Sequence, residues 1–66
     1  MILIFYKTND VFAAEDLLGG KMNVEIVPTP VLDKAYCGVS IKIEDTDYET
    51  ASKLITAIDH IAVKEG

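Results

Sequence analysis

Ile2-Leu3-Ile4-Phe5-Tyr6, residues 2 to 6, is apolar at every position, and its reading decides the rest of the chain. A half-exposed strand alternates apolar and polar side chains. A run apolar on both alternating faces predicts an inner strand with both sides covered. The remainder of the chain must therefore supply neighbours for this strand. Thr8 or Asn9 offers an N-cap side chain, and Asp10 suits the positive first turn of a helix. Val11, Ala14, Leu17 and Leu18 then recur at helical spacing, and Gly19-Gly20 predicts a left-handed terminator. Val24-Glu25-Ile26-Val27 is a short strand stopped by Pro28, and Pro28-Thr29-Pro30 opens a loop over 28 to 37, with a turn around Asp33 to Ala35.

The second half repeats the order. Val39-Ser40-Ile41-Lys42-Ile43 alternates cleanly, so Val39, Ile41 and Ile43 face a core while Ser40 and Lys42 face away. Thr46-Asp47-Tyr48-Glu49 matches a capping box, and Ala51, Leu54, Ile55 and Ile58 form the apolar stripe of a second helix. Ile61-Ala62-Val63 closes the chain as a short strand. Two strand-helix-strand halves predict a ferredoxin-like α+β domain, β-α-β-β-α-β, spanning residues 1–66. It has a four-stranded antiparallel sheet in the order 4-1-3-2, with two helices on one face. The other face then carries either Leu3 and Phe5 or Ile2, Ile4 and Tyr6, an apolar patch that marks a partner surface and predicts a homodimer.

Composition narrows the function. Sixty-six residues bury only about 60 % of their unfolded surface, so the core is marginal and self-association is the expected supplement. One cysteine cannot make an internal disulfide, and one His with one Cys cannot complete a four-ligand zinc site. No metal or other cofactor is expected. The net charge of −5, with six scattered Lys and no Arg, argues against nucleic acid. The apolar run at 2 to 6 is far short of the ~20 residues of a membrane span. A lone cysteine without a leader pattern predicts a reducing cytoplasm.

One constellation can carry chemistry. In the expected topology the end of strand one, the start of helix one and the start of strand three share an edge of the sheet. Cys37 should therefore lie near the helix N-terminus at Thr8 and Asn9, whose unpaired N–H groups and partial positive charge favour a thiolate. Lys34 and Lys7 add to this, whereas Asp10 and Asp33 oppose it. Gly38 leaves the sulfur without a neighbouring side chain and lets backbone amides approach an anion. Pro28 and Pro30 stiffen the loop or end the strand, and Tyr36 shields the sulfur or forms docking surface. Against this stands the common behaviour of free cysteine as a small buried hydrophobe. The remaining polar residues have simpler readings. His60, where helix two gives way to the last strand, is a solvent-exposed turn or helix C-terminal residue, Glu44, Asp45, Asp47 and Glu49 cap that helix, and Tyr6 is core.

Pro28-Thr29-Pro30 followed by Cys37-Gly38, with the opening Ile4-Phe5-Tyr6 strand and Ala14-Glu15 in helix one, resembles the small selenium/sulfur carrier protein-like family over nearly the whole chain. Two stretches depart from that family's pattern. Val31 stands where a basic residue often follows the second proline, and Lys34-Ala35-Tyr36 replaces small hydroxyl residues before the cysteine. The resemblance implies a thiolate at Cys37 that accepts sulfur or selenium from a donor protein as a persulfide, or its selenium analogue, and hands it to an acceptor protein. No second cysteine is present to resolve the persulfide within the chain. The alternative is a non-catalytic, dimeric regulatory or interaction module in which Cys37 is structural. A metal chaperone is disfavoured by the lack of a Cys-x-x-Cys pair.

Overall fold

The structure is a computed structural model, and it describes residues 1–30 and 33–64. The elements run β1 (Ile2–Phe5), α1 (Thr8–Gly19), β2 (Glu25–Pro28), β3 (Val39–Lys42), a 3₁₀ turn (Asp45–Asp47), α2 (Tyr48–Leu54) and β4 (His60–Val63). The four strands form one antiparallel sheet in the order β2-β3-β1-β4, so β1 lies inside as its sequence requires. This is the α+β, ferredoxin-like arrangement.

Register explains the two faces. Leu3 pairs with Ile41 and with Ala62, and all three lie on the side of the helices. Leu3, Phe5 and Ile41 are fully buried there against Val11, Ala14 and Leu18 of α1 and Ala51 and Ile55 of the α2 segment. Each large apolar side chain so buried contributes about 1.5–3 kcal/mol, which is substantial for a domain of this size. The alternate residues Ile2, Ile4, Val27, Ile61 and Val63 face away from the helices. Of the two sets foreseen for that face, it is therefore the one containing Ile2 and Ile4. Ile4 is nevertheless fully buried, between Ser40 on β3 and Ile61 on β4.

Several local expectations are corrected. Pro28 does not stop β2; it is the last residue of the strand and sits opposite Val39. The next residue, Thr29, donates its backbone N–H to the Gly38 carbonyl at 3.1 Å. Pro28 therefore occupies a position whose missing N–H points off the sheet edge, where no ladder bond is lost. Gly20 is right-handed (φ −88°, ψ −3°), not left-handed, because α1 closes with the Lys21 and Met22 N–H groups both donating to the Leu18 carbonyl. Neither Thr8 nor Asn9 caps α1: Lys7 holds the N-cap position, and no side chain makes a capping bond. The capping box is also unmade. The 3₁₀ turn takes up the chain ahead of Tyr48, and its Asp47 N–H bonds the Glu44 carbonyl at 3.0 Å. As a result α2 has only seven residues. Of its predicted stripe, Ile55 is buried just past the helix and Ile58 packs from the following turn.

His60 is the first residue of β4 and half-buried, not an exposed helix end. Its ring lies 5.8 Å from that of Phe5, and Nδ1 is 2.7 Å from the Ile58 carbonyl oxygen. Tyr6 has left the core and is 42 % exposed.

Candidate functional site

The site begins where β1 ends. After Phe5 the chain turns into α1, so the first helical residue, Thr8, stands at the same edge of the sheet as the segment entering β3. Cys37 is in that segment. Its N–H donates to the Phe5 carbonyl at 2.8 Å. The ladder, with Ile4 opposite Ser40, would set Val39 against Phe5, so the chain bends towards β1 just ahead of β3 and brings Cys37 there instead. The side chain then turns to the helix side, where it joins Leu3, Phe5, Val11 and Ile41 in the core cluster with 8 % of the residue exposed.

Thr8 Oγ1 lies 3.3 Å from Cys37 Sγ. A hydroxyl carries one proton and can also accept, so this contact serves a thiol in either direction but a thiolate only with Thr8 as donor. Thr8 itself is exposed, which puts the polar side of the sulfur towards solvent and its other sides against apolar packing.

The backbone on the far side of Cys37 is held by a second hydroxyl. Thr29 Oγ1 donates to the Cys37 carbonyl at 2.5 Å and is 2.7 Å from Ser40 Oγ. Because the single Thr29 proton is committed to the carbonyl, Ser40 is the donor in the second bond. Ser40 is fully buried, contrary to the solvated position expected from alternation. It does face away from the helical core, but Thr29 covers it. Neither Thr29 nor Ser40 stands out in the sequence as a site residue. The signal is a hydroxyl residue between two prolines and a serine inside an isoleucine-rich strand, but nothing local links them.

The other expected residues divide. Tyr36 is half-buried and its ring lies 5.3 Å from that of Tyr6, beside the thiol segment. Asp33 builds the foreseen turn, accepting the Ala35 N–H on Oδ1 at 2.9 Å and the Tyr36 N–H on its carbonyl at 3.1 Å. Lys34 lies in that turn, exposed; Lys7 at the N-cap of α1 and Asn9 within the helix are exposed as well, and no bond links these three to the sulfur. Pro28 and Pro30 are exposed and flank Thr29. Gly38 is exposed, and a Cβ built on it would meet nothing within 4 Å, so the absence of a side chain there is not a steric need. Val31 lies outside the described residues.

At the opposite end of the sheet a cavity of about 400 Å³ is lined by Met1, Val24, Lys42, Ile43 and Asp45, among others, and does not reach the cysteine. There the Met1 amine donates to Asp45 Oδ1 at 2.7 Å. That bond, and the amine's positive charge, hold the Asp45 carboxyl below the usual carboxylate range. Among the described residues no group of three His, Cys, Asp or Glu is gathered as a metal would need, and no helix is long and apolar enough to cross a membrane.

Fold and site together define a small α+β protein with one thiol set between a helix N-terminus and the entry to an inner strand. The family model described as "Putative Se/S carrier protein-like" matches residues 1–65, and the chain belongs to that family. Searches of curated proteins and of solved structures give no match.

Proposed function

We propose that the protein carries sulfur or selenium on Cys37, receiving the atom from a donor protein and passing it to an acceptor. The observation that carries this reading is the Thr8 Oγ1 to Cys37 Sγ contact at 3.3 Å at the start of α1, in a chain of the carrier-like family. In the loading step the Cys37 thiolate attacks the outer sulfur of a donor persulfide, R–S–SH. The new Sγ–S bond forms, the donor's S–S bond breaks, and RS⁻ leaves with the electron pair. The transferred sulfur keeps its proton or loses it to solvent, and no external oxidant is needed. A nucleophile of the acceptor then attacks the outer sulfur and returns Cys37 as thiolate. Selenium follows the same scheme as the outer atom. Thr8 donates its hydroxyl proton to the anionic sulfur, and the helix terminus adds favourable field. Tyr6 and Tyr36 border the site as a rigid aromatic surface for the docking protein. The chemistry requires a reducing compartment such as the cytoplasm, since an oxidised Cys37 cannot attack.

Incubation with cysteine and a cysteine desulfurase, followed by intact-mass measurement, tests the reading. One added sulfur, released by reductant and absent from Cys37→Ala, is the expected result. No adduct on the native protein would sink it and leave Cys37 as a core residue.

Ile2, Val27, Ile61 and Val63, half-buried on the sheet face that no helix covers, support self-association through that face. Sedimentation at micromolar concentration should give a dimer, and Ile61→Asp a monomer; a native monomer would remove this part of the proposal.

A further inference from the structure

Ser40 is a polar residue at the centre of the sheet, fully buried, and an alanine or valine would fill its place without a hydroxyl to satisfy. Its hydroxyl bonds Thr29 Oγ1, just past the end of β2, and Thr29 relays the bond to the carbonyl of Cys37, the one thiol in the chain. We infer that Ser40 and Thr29 form a positioning relay for Cys37, and that the rate of sulfur loading depends on it although neither side chain bonds the sulfur.

Cys37 is constrained from two sides. Its N–H is held by the Phe5 carbonyl at 2.8 Å and its own carbonyl by Thr29 at 2.5 Å. With both of its polar groups bonded, the Cys37 backbone is held in place. Packing in the core cluster then limits the rotation of the side chain, so Sγ stays where Thr8 Oγ1 can reach it. The backbone bond from the Thr29 N–H to the Gly38 carbonyl fixes the partner strand but does not touch the Cys37 carbonyl. Among the described residues it is the Thr29 hydroxyl that bonds that carbonyl. Ser40 in turn removes the rotational choice of that hydroxyl: by donating to Thr29 Oγ1 it leaves the Thr29 proton aimed at Cys37, and successive bonds in such a chain polarise one another. Placement matters to a displacement at sulfur because attack must be in line with the breaking bond. The two prolines on either side of Thr29 fit this function, since both restrict the backbone that presents the hydroxyl.

The relay rests on the carrier reading for its purpose, and the test separates the two. Native protein, Thr29→Val, Thr29→Ser and Ser40→Ala are each loaded with cysteine persulfide and, separately, alkylated with iodoacetamide, after circular dichroism and thermal melting establish that each is folded. Thr29→Val is expected to slow both reactions about tenfold, and Thr29→Ser to restore them. Ser40→Ala, which leaves Thr29 its own donor bond, should slow them about threefold. A purely structural threonine would lower the melting temperature in Thr29→Val while leaving both rates of the folded protein unchanged, and that outcome overturns the relay. Failure of the native protein to load would count against the carrier reading alone, because the alkylation rates still judge the relay. Should Thr29→Val not fold, Ser40→Ala decides: native rates in that variant overturn the inference.

Discussion

The two ends of the sheet are built on opposite principles. At one end stand a cavity of about 400 Å³ and an exposed charge pair between the Met1 amine and Asp45. At the other, neutral hydroxyls and backbone groups close around Cys37, which retains only 8 % exposure. The end with room for a small molecule has no thiol among its lining residues, and the end with the thiol is packed. A concave pocket is the usual first place to look for chemistry in an unassigned protein. The difference teaches that the pocket and the thiol of this fold are separate features; under the proposed function, a group held on a covalent bond needs a positioned atom and not a cavity.

The comparison is broken most forcefully at Phe5, whose ring belongs to the core and whose carbonyl holds Cys37. Phe5→Ala is expected to cost about 3–5 kcal/mol. A chain of this size has only about 3–10 kcal/mol in total, so urea titration should find the variant largely unfolded or near it. A cost below about 1 kcal/mol would mean that the Cys37 end is not tied to the core through this ring.

Thr8→Val sharpens the contrast with a smaller change, removing a hydroxyl from an exposed position while keeping side-chain shape. Alkylation of Cys37 should slow about tenfold, the worth of one hydrogen bond of about 1.5 kcal/mol to a charged acceptor. An unchanged rate would show that the 3.3 Å contact does nothing for the anion.

The smallest effect belongs to the charged end. The Asp45 carboxyl is held low chiefly by its hydrogen bond to the Met1 amine and by that amine's charge, with Lys64 a minor contributor. A carboxyl lowered in the folded state stabilises the fold above its unfolded value of about 3.9, and that contribution is lost as pH falls through the folded value. The side chain is 65 % exposed, so solvent and salt screen the pair. Urea midpoints measured from neutral pH down through the carboxylate range should fall slightly less steeply for Asp45→Asn than for the native chain, and added salt should shrink the difference. A steeper fall in Asp45→Asn would mean that the Met1 pair does not stabilise the fold. Loading at Cys37 should not respond to this substitution at all, since the pair lies at the other end of the sheet.

Most of the architecture is legible in the chain. Residues 2 to 6 are apolar at both parities, which only an inner strand accommodates, and the alternation over Val39 to Ile43 supplies its neighbour. The order of elements leads to the expectation that Cys37 lies near the start of α1, and Thr8 Oγ1 is found 3.3 Å from its sulfur. Capping is not legible in the same way, because side-chain caps compete with other partners. The Thr8 hydroxyl is engaged with sulfur, and a 3₁₀ turn absorbs the segment at Thr46. Gly20 departs from its expected left-handed form because in the right-handed ending the Lys21 and Met22 N–H groups still reach a helix-end carbonyl, that of Leu18.

Sequence alone determined the sheet order, the inner place of β1, the helical face of Val11, Ala14 and Leu18, and the presence of a single thiol. These follow from local periodicity and from the short connections that link neighbouring elements. Tertiary structure alone decided that Ser40 is buried, that Thr29 holds the Cys37 carbonyl, that Tyr6 leaves the core for Tyr36, and that the cavity lies away from the cysteine. The physical reason is that each depends on a hydroxyl, a ring or a wall supplied by a different segment. Alternation along one strand states which way a side chain points, but not what the rest of the chain places over it.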